Sequence, residues 1–313
     1  MLSYSSILAA TIPVYLTIAI GAALRRFKVL PTEVDKGMMR LAVTVLTPSL
    51  ILDRLVGNPA VMHPLPVLIA ATLGFILVAL GVSLSYLAAP LAGLHVGGGR
   101  RTFAMSCGLQ NYGFVAIPIV VALFEDPGTL GVLFTFTLGV ELGCWICGVG
   151  TLTGFSKAPW KLALNPPVLA ILTGLTLNFT GLHAYEPAFI ANTLAMIGAC
   201  AVPLAVLLIG AAIADIWTQE KMSWPIALLS PVLRLAIIPI AFLAAAYALP
   251  LTVELKRILV IQGAMPSAVF SIMVARMYGG HAPTAVQVII ATTLVSIITT
   301  PIVIAWGLKL IST

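Results

Sequence analysis

The sequence predicts an all-α polytopic membrane protein: ten transmembrane helices in two inverted repeats of five, with the fourth and ninth helices broken. Three observations carry this. Of the 313 residues, 60% are hydrophobic and only 8% charged, against about a quarter charged in an ordinary soluble domain. Apolar stretches of bilayer length recur along the chain between short polar connections, and at 1.5 Å per residue about 20 helical residues cross the hydrocarbon. Finally, proline and polar punctuation in the first half returns at a nearly constant offset in the second.

Taken in order, the spans are expected near 5–24, 37–56, 66–91, 102–124, 129–152, 165–181, 189–216, 224–248, 255–277 and 283–308. Met1–Ser6 has no basic stretch ahead of the apolar run, so the start reads as the first span and not as a signal peptide. The longest polar stretch lies near Gly154–Lys161, which divides the chain into a first repeat (1–153), a connector (154–164) and a second repeat (165–313). The net charge of +6 gathers in short loops. Loops after odd-numbered spans hold Arg25, Arg26, Lys28, Lys36, Arg100, Arg101, Lys157, Lys161, Lys221 and Arg276, whereas the opposite side holds Arg54, Lys256, Arg257 and Lys309. Basic loops face the cytoplasm, which sets both termini outside a cell (inner) membrane and leaves no footprint for nucleic acid.

The repeat is visible in its punctuation. Pro13-Val-Tyr-Leu-Thr-Ile aligns with Pro167-Val-Leu-Ala-Ile-Leu, Thr47-Pro48 with Val202-Pro203, and Asn111 falls on Pro266. Five spans per half force the second half to enter from the other side, the arrangement that supports alternating access around a midplane site. The fourth span carries C-G-L-Q-N-Y-G-F-V-A-I-P at Cys107–Pro118, and the ring of Pro118 clashes with the helical carbonyl of Phe114. In the ninth span Q-G-A-M-P-S at Gln262–Ser267 does the same with Pro266. Backbone groups freed at such depth must find protein or a water-filled cavity.

The candidate substrate-binding residues are therefore Gln110, Asn111, Tyr112, Gly113, Gln262, Pro266 and Ser267, with Pro118 and Pro266 breaking the helices. Half-helix N-termini offer N–H groups and positive partial charge to an anion, while the free carbonyls at half-helix C-termini suit a cation. Two charges lie mid-span, Glu141 in the fifth and Arg234 in the eighth, where an unpaired charge costs about 2.5–3.5 kcal/mol on insertion scales. They read as a coupling or counter-charge pair: a proton site at Glu141 and a substrate counter-charge at Arg234, or an ion pair between the two. Asn178, near the end of span six, lies away from both breaks and is expected to be dispensable for binding. Arg40, Asp53 and Arg54 lie nearer span ends, from which long basic side chains reach the headgroups. Gly139-x-x-x-Gly143 permits close helix packing. Cys107, Cys144, Cys147 and Cys200 read as packing residues, and the four histidines have no metal-ligand spacing.

No Ser/His pair, H-E-x-x-H or paired intramembrane aspartates occur within the spans, which excludes the familiar intramembrane enzymes. The leading reading is a secondary carrier of a small organic anion, needing no cofactor beyond a coupling proton or sodium ion. A cation/proton antiporter on a related inverted repeat is the alternative, but it would place carboxylates at the breaks, which carry only amides and a hydroxyl. A sensor of transporter descent is a third reading.

These residues resemble the auxin efflux carrier family, which includes plant PIN proteins and bacterial relatives. Q-N-Y-G-F-V-A-I-P at Gln110–Pro118 is similar to the family's first crossover motif, and A-M-P-S-A-V-F-S-I-M-V-A-R-M-Y-G-G-H at Ala264–His281 to its second. N-P-P-V at Asn165–Val168 resembles the Asn-Pro start of the second half, and the likeness covers the whole chain. The resemblance implies a fold shared with bile-acid sodium symporters, with spans 1, 2, 6 and 7 as a scaffold panel. Spans 3, 4, 5, 8, 9 and 10 then form a core transport domain in which the broken helices cross. It further implies a carboxylate substrate, Asn111 as a ligand, and a homodimer. Plant members carry a Pro just before the crossover Asn, where this chain has Gln110, and a long loop between the halves, where it has a few residues. The implied substrate is thus a small mono- or dicarboxylate, auxin-like or malate- or malonate-like.

Overall fold

A computed structural model describes residues 4–124, 126–155, 165–217 and 222–312. The first half opens with α1 (Tyr4–Arg26), and α2 (Asp35–Leu41) passes through a π turn (Ala42–Leu46) into α3 (Thr47–Leu55). Next come α4 (Pro64–Ala88), α5 (Arg100–Gly108) and α6 (Ala116–Leu123), then α7 (Pro127–Gly143), which a π turn (Cys144–Val149) joins to α8 (Gly150–Thr153). The second half holds α9 (Pro166–Phe179), α10 (Ala188–Gly198), α11 (Ala201–Trp217) and α12 (Trp224–Pro231). After a π turn (Val232–Ile237) follow α13 (Ile238–Ala248), α14 (Val253–Ala264), α15 (Phe270–Met277) and α16 (Ala282–Leu310).

Six stretches among the described residues are long and apolar enough to cross a membrane: Tyr4–Arg26, Pro64–Ala92, Pro127–Thr153, Ala188–Asp215, Trp224–Ala248 and Ala282–Leu310. The chain is an integral membrane protein built of helices. The connector expected at 154–164 is described only as far as Phe155, and residues 157, 161 and 221 of the charge count lie outside the described residues.

Helix starts follow local chemistry. Asp126 accepts from the N–H groups of Gly128 and Thr129 with Pro127 in the first turn of α7, and Asn165 accepts from Val168 with Pro166 in that of α9. A side-chain acceptor before a proline is the expected cap, because proline lacks an N–H that would go unpaired there anyway. Burial pulls the Asp126 carboxyl up, but bonds from the Thr129 hydroxyl and the Gly128 and Thr129 amides, with Arg257 nearby, hold it below the usual carboxylate range. At the opposite end Arg25 ties α1 to the Leu30 carbonyl, to Asp35 of α2 and, at 3.1 Å, to Asp215 of α11.

Packing sorts the helices into two groups. α1, α3, α9, α10 and α11 lie against one another, while α4, α5, α7, α12, α13, α14 and α16 make a second mass. Glycines permit the closest approaches within each. A Cβ on Gly21 would stand 2.1 Å from the Leu207 carbonyl oxygen and one on Gly210 2.0 Å from that of Ile18, which fixes α1 against α11. In the other mass, a Cβ on Gly139 would lie 1.7 Å from the Ala71 oxygen, and one on Gly143 2.9 Å from Val78. The Gly139-x-x-x-Gly143 pair thus lets α7 lie on α4. Of the apolar window of α7 and its continuation, 78% is buried, against 33% for α1, so α7 runs through the centre of its group.

This yields a stability prediction. Gly139→Val drives a side chain into fixed backbone and should cost at least the roughly 1–3 kcal/mol of core overpacking. Gly113→Ala has nothing within 4 Å of its new Cβ and should leave stability unchanged. Thermal unfolding in detergent checks both, and a Gly139→Val protein as stable as Gly113→Ala would refute the packing.

Candidate functional site

The two broken helices meet. α5 stops at Gly108, whose Cα side lies against Gly81 and Val82 of α4; a Cβ there would come within 2.4 Å of the Val82 nitrogen. The chain then runs extended through Leu109, and α6 begins at Ala116. α14 ends at Ala264, and α15 begins at Phe270. The two unwound stretches lie antiparallel: Asn111 N donates to Pro266 O at 2.7 Å, Ala268 N donates to Leu109 O at 3.0 Å, and Gln110 pairs with Ser267 between them. Asn111 and Pro266, matched by the sequence repeat, are thus direct partners. Pro266 sits within its unwound stretch. Pro118 lies in the first turn of α6, after the unwinding, where its missing N–H leaves no bond unmade.

Side chains and neighbouring helices take up the remaining carbonyls. Gln262 Nε2 donates to Tyr112 O at 3.0 Å, and Thr300 Oγ1 to Ala264 O at 2.9 Å. Ser267 N donates to Thr292 Oγ1 at 3.3 Å, and Val115 N donates weakly to Asn111 Oδ1 at 3.4 Å. Arg234, fully buried, donates from Nε to Met265 O at 3.1 Å, with Nη2 at 3.4 and 3.5 Å from the carbonyls of Gln262 and Gly263. The guanidinium therefore covers the negative end of the α14 dipole. Other buried polar atoms have no partner among the described residues: both amide atoms of Gln110, Gln262 Oε1, Ser267 Oγ, Ser271 Oγ and Arg234 Nη1. Natural proteins leave few such groups unpaired, and these six atoms lie around the crossing, while others such as Asp35 Oδ1 and His183 Nδ1 lie elsewhere. Gly113 and Tyr112 are half-buried beside it.

Glu141 and Arg234 do not pair, contrary to the ion-pair reading of the two mid-span charges. Glu141 accepts from the Tyr112 hydroxyl at 2.5 Å, from Trp145 Nε1 at 3.2 Å and from Asn165 Nδ2 at 3.1 Å. Each charge is offset by dipoles of its own, donors for the carboxylate and carbonyls for the guanidinium. The breaks themselves carry only amides and a hydroxyl, and the Tyr112 hydroxyl joins them to the carboxyl of Glu141. Asn178 is no neutral bystander either. Its side chain accepts from Gly57 N at 2.9 Å and donates to Leu55 O at 2.8 Å, tying the end of α9 to the end of α3. Asp53 and Arg54 pair at 2.9 Å at that same end of α3.

Sequence reasoning missed Asn165, Trp145, Thr292 and Thr300 as parts of this network. Asn165 stood in the N-P-P motif, and its cap role hid its free amide. A surface pocket lined by residues such as Leu52, Thr173, His183 and Glu186 touches none of the crossing residues.

Separate partners predict separate energetics. In a double-mutant cycle of Glu141→Gln and Arg234→Met, the two stability losses should add to within about 0.5 kcal/mol. A larger coupling in detergent unfolding would restore the ion pair.

The family model described as "Membrane transport protein" matches residues 6–148 and 151–304. An uncharacterized transporter of Methanocaldococcus jannaschii is 24% identical over 209 residues, covering 64% of this chain and 65% of that protein. The match to this relative therefore falls just short of two-thirds of its length. An uncharacterized transporter of Methanothermobacter thermautotrophicus is 26% identical over 275 residues, covering 84% of this chain and 85% of the relative. With both breaks, the network around them and nearly the full chain inside the family match, the protein belongs to the auxin efflux carrier family of membrane transport proteins.

Proposed function

We propose that the protein is a secondary carrier of small organic anions, mono- or dicarboxylates, working by alternating access with substrate held at the crossing. The observation that carries the choice of an anion is Arg234. The carbonyl end of α14, where a cation would otherwise be drawn, already holds a guanidinium. What remains unpaired includes the donors Gln110 Nε2, Ser267 Oγ and Arg234 Nη1, which suit a carboxylate. Gln110, Asn111, Tyr112, Gly113, Gln262, Pro266 and Ser267 form the site in this reading. The cation-coupled alternative gains support from Glu141, whose carboxylate touches Tyr112. A coupling proton is compatible with both readings.

In the full proposal the helices make ten spans in two inverted repeats. The first packing group corresponds to spans 1, 2, 6 and 7 and forms the scaffold, and the second forms a moving core in an elevator or rocking motion. The protein resides in the cell membrane with both termini outside. Cysteines replacing Val96, between α4 and α5, and Tyr185, between α9 and α10, are both exposed and should label from opposite sides in a cysteine-free background. Labelling from one face would overturn the ten-span topology.

Asn111→Ala tests the site. Losing a hydrogen bond to a charged group costs about 1.5–3 kcal/mol, roughly ten- to a hundredfold in affinity. Equilibrium binding of labelled malonate or indole-3-acetate, whichever the wild type binds, should weaken by that factor. Asn192→Ala, at an exposed amide on α10, serves as the control and should bind as wild type. Unchanged binding in Asn111→Ala, or equal losses in both, would move the site elsewhere.

A further inference from the structure

We infer that Glu141 is a proton-operated clasp between the two packing groups: its carboxylate holds Asn165 while ionised and releases it on protonation. The inference rests on the alternating-access reading above. Of its three donors, Trp145 stands one turn along the same helix and Tyr112 belongs to the crossing, so both travel with Glu141. Asn165 starts α9, in the other group. The Glu141–Asn165 bond thus bridges two bodies that must shift past one another.

The repeat gives this clasp a counterpart. The offset that takes Asn111 to Pro266 also takes Glu141 to Ser296. Ser296 of α16 accepts at 3.0 Å from the hydroxyl of Tyr15, on α1, which also lies 3.1 Å from Thr300 Oγ1. Each repeat's last long helix therefore grips the first helix of the other repeat. One grip is neutral, and the other carries a carboxylate. Charge-assisted bonds are about twice as strong as neutral ones, so only one of the two can be weakened by a proton.

The local donor inventory shows what protonation does. A carboxyl must place its new proton on an acceptor. Trp145 Nε1 only donates, and Asn165 turns its amide nitrogen towards Glu141 and its carbonyl oxygen towards Val168 N as the cap of α9. Of the three partner atoms that face the carboxyl, the Tyr112 oxygen is the one that can accept, so Tyr112 turns from donor to acceptor. Asn165 is left with a neutral, weaker partner. The titratable groups facing Glu141 are Tyr112 and, on its own helix, Cys144. Among the described residues, no charged side chain from α3, α4, α6, α9 or α14 bonds to it; Arg257 pairs with Asp126 at the start of α7, and Arg54 with Asp53.

The test needs no substrate. Spin labels on cysteines at Val29, between α1 and α2, and Val96, between α4 and α5, are both exposed and report the distance between groups in reconstituted protein. On acidification from about pH 8 to about pH 4, a window covering carboxyl titration in proteins, the wild-type distance distribution should shift by about one helical turn, about 5 Å. Glu141→Gln should lose the pH response. Asn165→Asp keeps the cap acceptor but sets two carboxylates together, so it should part at high pH and close when one shared proton enters, the reverse of wild type. Tyr15→Phe should keep the wild-type pH response, because its grip is neutral. A wild-type pH response in Glu141→Gln, or a wild-type direction in Asn165→Asp, would overturn the clasp while leaving the carrier reading intact. A single fixed distance in every variant at every pH would overturn both.

Discussion

Everything at the centre of this protein depends on one constraint: backbone polar groups inside hydrocarbon must be bonded by protein or by enclosed water. Two helices give up their internal ladders at the same place, and each supplies what the other lacks. Asn111 donates to Pro266, and Ala268 to Leu109. Neither break is tolerable alone, because the freed groups of one are the partners of the other. The polar residues around them then follow from accounting. Gln262 covers Tyr112 O, Thr300 covers Ala264 O, and Arg234 covers the end of α14.

A second constraint concerns where the structure is stiff. The glycine contacts in which a Cβ would strike backbone join α1 to α11, α10 to α3, α4 to α7 and α4 to α5. All fall within one packing group or the other. Such contacts lock the relative position of two helices, since a shift along the axis meets a side chain where the glycine had been. Between the groups the bonds are side-chain hydrogen bonds such as Tyr15 to Ser296 and Asn165 to Glu141. These can be exchanged one at a time. The distribution of glycine therefore matches the division of labour that the proposed alternating access would require.

Much of this was legible in the sequence. Apolar stretches of bilayer length marked the helices, and proline and polar punctuation marked both breaks. Matching Asn111 to Pro266 by offset alone named two residues that bond directly. What the sequence hid was pairing between elements distant along the chain. Glu141 and Arg234 looked like partners because each was a lone charge in a long apolar run, but complementary sign says nothing about which faces meet. The donors around Glu141 come from the crossing and from the start of the second half. Asn178 looked peripheral because its polar neighbours, the N–H of Gly57 and the carbonyl of Leu55, are main-chain atoms that no composition reveals. Pro118 marked the right helix but not the site of unwinding, because a proline inside a first turn is harmless.

The separation of Glu141 from Arg234 also bears on how a carrier can work in a medium so hostile to charge. A buried ion pair would neutralise both groups and commit them to each other, and removing either would strand the other. Here each is compensated by dipoles. The guanidinium is held by carbonyls that cannot change their charge, so its field at the crossing is permanent. The carboxylate is held by a hydroxyl, an indole and an amide, one of which can reverse its hydrogen bond when a proton arrives. In the proposed reading the site combines a fixed positive charge with a negative charge that a proton would switch off. In that reading, the crossing with the proton bound would be more positive by one unit and would favour an anion; with the proton lost, the anion would be repelled and the grip on α9 restored. Under that proposal, binding of proton and anion would reinforce one another through electrostatics alone, and the reciprocity of linked equilibria would require that each raise the affinity for the other by the same factor.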